Sequence, residues 1–325
     1  LYISEQEVDK LLSQKTGMPK WATAPAPITS DKVRDVLRQM EGDIARRKGE
    51  SLRRGITLRL EDLVSLFKLN PDEVDALLIC LAPEIDLRYE LLYAYLQDDV
   101  TKKRPSVDLV LNLLSPTFEA KLAARSLFMA GAPLIKHDLL YLFNDPSIPE
   151  PPMLGKYLKV DDRVVSYLSD ADEIDTRLTS HARLVRPEAL LEDLILPSRV
   201  KANLALMIHK EKERGQGPAF YFLGPYGVGK QTTAEALCRE LGKRLLHIDL
   251  EHLVSVEGLT FDKVVKLMHR EALLQGAAVY WDGLDTLLSD DRRPLLKVLL
   301  RDIEEWAGLT FLSGQKTWEP SDALH

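Results

Sequence analysis

The chain has 325 residues, of which 45% are apolar and 29% charged, and its formal net charge of −7 goes with an isoelectric point near 5.6. This balance indicates a globular protein of two domains, and with this net charge no global electrostatic attraction to nucleic acid is expected. Cys80 and Cys238 are the only cysteines, which excludes a disulfide framework and fits the reducing cytoplasm that we predict. The sequence has no apolar run of membrane-spanning length, so we predict no membrane partner.

The first 50 residues are predicted to form helices joined by a linker. Residues 1–15 have the spacing of a short amphipathic helix, residues 21–30 (WATAPAPITS) are rich in Pro and Ala, and residues 31–50 form a charged helix. Basic residues cluster at 46–54 and allow contact with nucleic acid. The mixed charge around them favours a solvated helix end.

Residues 51–175 are predicted to form a winged-helix-like interaction domain. Helical patterns at 58–69, 71–81, 84–97, 106–114 and 118–129 precede β-like pieces at 133–143 and 157–160, with a proline-rich loop at 145–152 between them. Several short helices followed by a hairpin are typical of a winged helix. The candidate recognition helix, 106–114, is apolar and carries Asp108, and only Asn112 suits base recognition. We therefore favour a protein partner over nucleic acid. The acidic segment 161–175 bridges to the next domain.

Residues 176–325 are predicted to form an α/β domain because strand and helix patterns alternate there. Strands are expected at 219–224, 244–250, 277–282 and 309–313, and helices at 231–241, 260–275 and 292–306. This alternation predicts a doubly wound parallel sheet with helices on both faces.

A glycine-rich loop at 219–233 (AFYFLGPYGVGKQTT) is the strongest functional signal. An apolar strand, a loop of the pattern G-x-x-x-x-G-K and a helix follow one another, as in a phosphate-binding loop. The glycines allow backbone N–H groups to turn toward phosphates, and the helix N-terminus adds partial positive charge. The alternative is a plain glycine turn between strand and helix. The predicted site for ATP or ADP consists of Gly224, Pro225, Tyr226, Gly227, Val228, Gly229, Lys230, Gln231 and Thr232.

A second part of the site is predicted where the strand AAVYWD ends, at Asp282. A carboxylate in this position normally holds Mg²⁺, although a helix N-cap is the alternative. Gln231 stands where a Ser or Thr hydroxyl would bind the metal, so magnesium binding is expected to be weak. In ATP hydrolases of this layout a Glu that polarises water follows the Asp, and here Gly283 follows it. Asp285 is the candidate substitute for that catalytic carboxylate.

The strand at 309–313 ends in polar residues that would face the γ-phosphate. Either Ser313 or Gln315 could serve weakly in this role, and we take Ser313 as the candidate sensor of that phosphate. A turn role for Ser313 is equally consistent with the sequence.

With these residues in view, the second domain resembles the AAA ATPase module. Residues 224–230 match its Walker A loop and residues 279–282 its Walker B strand. Residues 191–197 (LEDLILP) look like the segment that lines the adenine pocket in that family, which implies a nucleotide contact at Leu196.

The first domain, especially residues 77–114, resembles the variant winged-helix region of large bacterial AAA proteins, some of which accompany contractile injection systems. The resemblance implies protein partners and self-assembly of the full-length protein into a ring.

The chain stops at His325, just after the fourth predicted strand. The AAA module needs a fifth strand, an arginine finger and a helical lid, so we expect a fragment that holds a first, degenerate module of a tandem protein.

The predicted function is nucleotide binding with poor hydrolysis, in assembly, remodelling or regulation of a protein complex. Whether the module is an ATP hydrolase is left open. One alternative is an active ATPase completed by neighbouring subunits or a second module. Another is a winged-helix nucleic-acid-binding regulator with an AAA scaffold.

Overall fold

The computed structural model describes residues 18–19, 21, 31–145, 148, 150–214, 217–254, 259–306 and 308–318. The chain divides into two compact units, Leu1–Ala171 and Asp172–His325. The predicted helix at 1–15 and most of the predicted linker lie outside the described residues. The predicted domain boundaries at 50 and 175 stay predictions.

The first unit is mainly helical. Asn70 starts one helix with a reciprocal capping box, in which its side chain accepts from the backbone N–H of Glu73 and the Glu73 carboxylate accepts from that of Asn70. Pro71 occupies the first helical position, where it loses no hydrogen bond. The helices are α1 Asp31–Arg53, α2 Arg59–Phe67, α3 Pro71–Ile85, α4 Arg88–Leu96, α5 Val107–Leu114, α6 Phe118–Ala124 and α7 Pro133–Lys136, with a 3-10 turn at Arg125–Phe128.

A short antiparallel hairpin completes the first unit. Strand β1, Leu140–Phe143, pairs with β2, Tyr157–Val160, and helix α8, Asp162–Leu168, follows. The predicted β-like piece at 133–143 is therefore helical in its first part. Pro133 fixes a helical backbone angle and cannot donate to a strand ladder, which explains the difference.

The candidate recognition helix, α5, lies in the core of the first unit. Five of its residues are buried, including Leu109, Val110 and Asn112. The Asn112 side chain donates to Asp108 at 2.9 Å, and Lys121 donates to the same carboxylate at 2.5 Å. The one side chain suited to base recognition is therefore held inside the protein.

The second unit is built on a five-stranded sheet of order β3-β5-β6-β7-β4. Strands β5, β6, β7 and β4 run parallel to one another, and β3 pairs with the free edge of β5 in the antiparallel direction. The predicted α/β fold class is confirmed, but the sheet is mixed because of β3, which the sequence pattern did not predict. The strands are β3 Ala182–Val185, β4 Ala219–Leu223, β5 Arg244–Asp249, β6 Ala277–Asp282 and β7 Thr310–Gly314.

Helices cover both faces of this sheet, as predicted. The alternation of side chains along the strands produces two apolar cores, one with Trp281 and Leu312 and the other with Tyr280 and Phe311. The Trp281 core takes side chains from α11 Leu250–Leu253, α12 Phe261–Gln275 and α13 Arg293–Glu305, and the Tyr280 core from α9 Ser198–Arg214 and α10 Lys230–Glu240. Helix α9 was not predicted.

A buried ion pair anchors the start of the second unit to α12. Arg270 donates to Asp175 at 2.8 Å, and the exposed fractions of the two side chains are only 1% and 3%. Burial alone would raise the pKa of Asp175, but hydrogen bonds from Arg177 and the charges of Arg177 and Arg270 outweigh it and hold that pKa below its usual value. The pair therefore stabilises the second unit while Asp175 is ionised.

Both cysteines are buried and free, which confirms that they form no disulfide. Among the described residues, no helix combines the length and the apolar character needed to cross a bilayer.

Candidate functional site

The glycine-rich loop joins β4 to α10 as the sequence predicts. Gly227 and Gly229 have φ angles of 82° and 91°, in the left-handed region that residues with a Cβ avoid. Gly229 is the N-cap of α10, so the loop delivers the chain directly into the first turn of that helix. The helix N-terminus and the loop N–H groups then offer an anion the partial positive charge of several peptide units.

Lys230 closes the loop on itself. Its ammonium donates to the carbonyl oxygens of Gly224 at 2.6 Å and Pro225 at 3.0 Å. The start of the loop is tied to the sheet because the N–H of Gly224 donates to the carbonyl of Gly314 at 3.1 Å. The lysine ammonium is thus placed inside the loop formed by residues 224–230.

The remaining predicted loop residues face solvent. Tyr226 is 92% exposed, and Val228 and Thr232 are exposed as well. Leu196 is half-buried in the segment before α9, while Leu191 of the same segment packs into the Tyr280 core. The predicted adenine-lining role of Leu196 stays a prediction.

Asp282 lies at the end of the central strand β6 and contacts two side chains from the neighbouring strands. Ser313 on β7 donates to its Oδ1 at 2.5 Å, and Nε2 of His247 on β5 lies 3.5 Å from its Oδ2. The second distance is long for a hydrogen bond, so we regard this contact as mainly electrostatic. The His247 imidazole, followed by the Ser313 hydroxyl and the Lys230 charge, holds the pKa of Asp282 below its usual value against the effect of burial.

The predicted residues Lys230, Asp282 and Ser313 are therefore linked in one site, and His247 is an addition that sequence reasoning missed. His247 stands opposite Tyr280 in the ladder of β5 and β6, and their rings stack at 5.3 Å. Its signal in the sequence was its position two residues before the end of a buried strand, at the same sheet edge as Asp282.

The side chain of Gln231 is held between two charged groups. Its amide nitrogen donates to Glu235 at 2.7 Å, and its amide oxygen accepts from Arg183 of β3 at 3.4 Å. The oxygen that would have to replace the usual metal-binding hydroxyl thus faces a guanidinium.

Mg²⁺ does not fit this arrangement well. It needs short oxygen ligands in near-octahedral geometry, whereas both oxygens of Asp282 and the oxygen of Gln231 already have partners. In the described part of the chain, no cluster of three or more His, Cys, Asp or Glu side chains is arranged to hold a metal ion.

The chain after β6 begins with a glycine, and the first carboxylate that follows, Asp285, has backbone partners. Gly283 has a φ of 79° and begins the 3-10 turn Leu284–Leu287. The two oxygens of Asp285 accept from the backbone N–H groups of Gln315 at 2.6 Å and Lys316 at 2.8 Å. Asp285 therefore caps the chain after β7, and its catalytic role stays a prediction that this geometry does not favour.

The fold and the site together define a phosphate-loop α/β domain of AAA type behind a helical unit with a short hairpin. The chain belongs to the variant winged helix domain family, whose family model matches residues 2–182, more than half of the sequence. Residues 220–313 match the family model of ATPases associated with various cellular activities.

Solved structures with a similar fold include the FIGL-1 AAA domain, at 17% identity over 47% of this chain and 58% of that one, with a TM-score of 0.38. The same domain in complex with ADP has 20% identity over 47% and 59% of the two chains, with a TM-score of 0.37. A katanin structure, described for its self-assembly, has 21% identity over 48% and 58%, with a TM-score of 0.37. The chain thus spans less than two thirds of each of these proteins.

Proposed function

We propose that residues 219–315 bind adenine nucleotide and hydrolyse it slowly. The observation that carries the proposal is the closed glycine loop at the N-terminus of α10, with the Lys230 ammonium on the carbonyls of Gly224 and Pro225. An arriving phosphate offers this ammonium a full negative charge in place of two neutral carbonyls. The present contacts have one ionised partner, the ammonium, whereas a contact with phosphate has two, so Coulomb attraction is added to the hydrogen bond. Nucleotide therefore displaces the internal contacts.

Slow hydrolysis follows from the carboxylates available near Asp282. A positioned general base contributes about 10²–10⁴-fold to a rate. The residue after Asp282 has no side chain, and Asp285 uses both oxygens to hold the backbone of residues 315 and 316. To act on water, Asp285 would have to release that segment, which costs two charge-assisted hydrogen bonds.

The proposed biological role is regulation, remodelling or assembly of a protein complex, with self-assembly in the full-length protein. The first unit supports a protein partner more than nucleic acid, because α5 is buried and its only base-reading residue is paired with Asp108. Exposed apolar side chains on α4, among them Leu91 and Tyr95, add surface of the kind that protein partners cover. A cytoplasmic location fits the two free cysteines and stays a prediction.

Two measurements on one protein preparation test the proposed nucleotide binding and the proposed slow hydrolysis. Isothermal titration with ADP and ATP measures binding, and phosphate release on the same preparation measures turnover. We expect saturable binding and turnover far below ~1 s⁻¹, the low end of ordinary enzyme rates. Absence of binding refutes the nucleotide site. Turnover at ordinary rates supports instead an active ATPase, and salt-sensitive DNA binding supports the nucleic-acid-binding regulator.

A further inference from the structure

The antiparallel edge strand β3 brings a permanent cation to the phosphate-binding loop. Ala182 and Leu184 of this strand pack into the Trp281 core, while Val185 packs into the Tyr280 core, on the face that α10 covers. Arg183 alternates with the first pair, so its side chain extends over the α10 face, where Nη2 reaches the Gln231 amide oxygen at 3.4 Å.

The orientation of the Gln231 amide is determined by its second partner. The amide nitrogen lies 2.7 Å from Glu235, and a carboxylate only accepts hydrogen bonds. The amide oxygen is consequently the atom that faces Arg183, which only donates. Gln231 thus serves as a bridge that holds Arg183 beside the first turn of α10, directly after Lys230.

A guanidinium in this place has the properties that a nucleotide phosphate needs. It is charged at every physiological pH and presents five N–H donors in a fork that matches phosphate oxygens. Its contact with Gln231 is long and solvent-exposed, so it is readily exchanged for a phosphate oxygen. The same charge repels a divalent cation from the position next to Gln231.

We propose that Arg183 binds the terminal phosphate of the nucleotide and supplies the positive charge that Mg²⁺ would otherwise supply. The proposal rests on the proposed nucleotide site and extends it. Nucleotide binding by this chain is then independent of magnesium, and its affinity depends on Arg183. Gln231 positions the arginine and is not a metal ligand.

The test measures ADP affinity by titration calorimetry, once with excess Mg²⁺ and once with excess chelator. The variant Arg183→Gln removes the charge from an exposed side chain. The control Lys243→Gln makes the same change of charge one residue before β5, at the sheet edge opposite to the one where Asp282 lies. Circular dichroism confirms that each variant is folded.

We expect the unmodified chain to bind ADP equally well in both conditions. Arg183→Gln should weaken binding in chelator by about 10–100-fold, the equivalent of one charge-assisted hydrogen bond, while Lys243→Gln should leave it unchanged. Gln231→Ala should still bind ADP in chelator because Arg183 remains, but more weakly than the unmodified chain, because the arginine loses the side chain that positions it.

Two results overturn the proposal while leaving the nucleotide site intact: binding by the unmodified chain that requires Mg²⁺, or an affinity of Arg183→Gln equal to that of Lys243→Gln. If the unmodified chain binds ADP in neither condition, the nucleotide site itself is refuted. The two failures are therefore distinguishable in a single set of titrations.

Discussion

Gly283, the residue after Asp282, allows a test of backbone strain at the end of β6. The effect of adding a Cβ there on the free energy of unfolding can be divided into a backbone term and a packing term. With φ at 79°, a residue with a Cβ suffers about 1–2 kcal/mol of strain. A Cβ at this position would meet nothing closer than the Thr286 hydroxyl at 3.9 Å, so steric crowding adds no cost. Replacement by Ala also reduces the entropy of the unfolded chain, which returns about 0.4–1 kcal/mol.

The net expectation for Gly283→Ala is a loss of about 1 kcal/mol of unfolding free energy. In a unit of this size that corresponds to a fall in Tm of about 2–4 °C by thermal unfolding. Gly283→Asn should lose less, because Asn tolerates left-handed backbone better than Ala. Gly42→Ala in α1 is the control: its Cβ has open space and its φ is not positive, so it should stabilise the chain. An unchanged Tm in Gly283→Ala, or equal losses for Ala and Asn, would refute the argument from backbone strain.

A second prediction concerns nucleotide binding and uses the double variant Gly283→Glu, Gln231→Thr. The new hydroxyl supplies a short oxygen ligand and the new carboxylate a place to orient water, so magnesium should strengthen ADP binding more than in the unmodified chain. The variant should also carry the strain cost of a side chain at position 283. Affinities with Mg²⁺ and with chelator provide the readout. A magnesium effect of equal size in both proteins would show that Gln231 is no obstacle to the metal.

Three further outcomes are expected. Lys230→Ala should weaken ADP binding by about 10–100-fold in calorimetry without loss of fold, because one charge-assisted hydrogen bond is removed, and unchanged affinity would make the loop purely structural. Arg270→Gln should cost about 1.5–3 kcal/mol in urea unfolding, because it removes one charge-assisted hydrogen bond from the buried Asp175 carboxylate, which keeps its hydrogen bonds from Arg177. By contrast, Arg301→Gln, which breaks an exposed pair with Asp262, should cost at most about 1 kcal/mol, and similar losses for the two would contradict the reasoning. Since the pKa of Asp175 is lower in the folded chain, the unfolded chain binds more protons, and unfolding free energy should fall as pH drops below about 4. Asp175→Asn should remove that part of the pH dependence, and an unaltered acid profile would contradict it.

The parts of the site that the sequence predicted are those carried by local patterns. The glycine loop, Lys230 and Asp282 follow from a strand, a turn and a helix whose residue types are readable in a single window. Ser313 followed from the end of the next apolar strand. Each of these features depends on residues that are neighbours along the chain, so the local sequence pattern was sufficient to predict it.

The parts that the sequence did not predict depend on long-range pairing. Strand β3 has only four residues and acquires its structure from the edge of β5, so Arg183 carried no visible signal. His247 approaches Asp282 only because the register of β5 and β6 places their ends at the same sheet edge. The partners of Asp285 were not predicted either, because they are the backbone N–H groups of residues 30 and 31 positions away along the chain.

The position of a strand in the sheet also determines how many of its backbone groups are hydrogen-bonded to neighbouring strands. Strand β6 lies between β5 and β7, whereas β4, which leads into the phosphate loop, is paired on one side only in the described part of the chain. Every second amide of β4 thus faces away from β7 and is protected from hydrogen exchange only weakly. Among the described residues, the strand that supports Gly224 therefore has fewer inter-strand hydrogen bonds than the strand that carries Asp282. If nucleotide contacts both strands, as proposed, it should slow hydrogen exchange more in β4 than in β6.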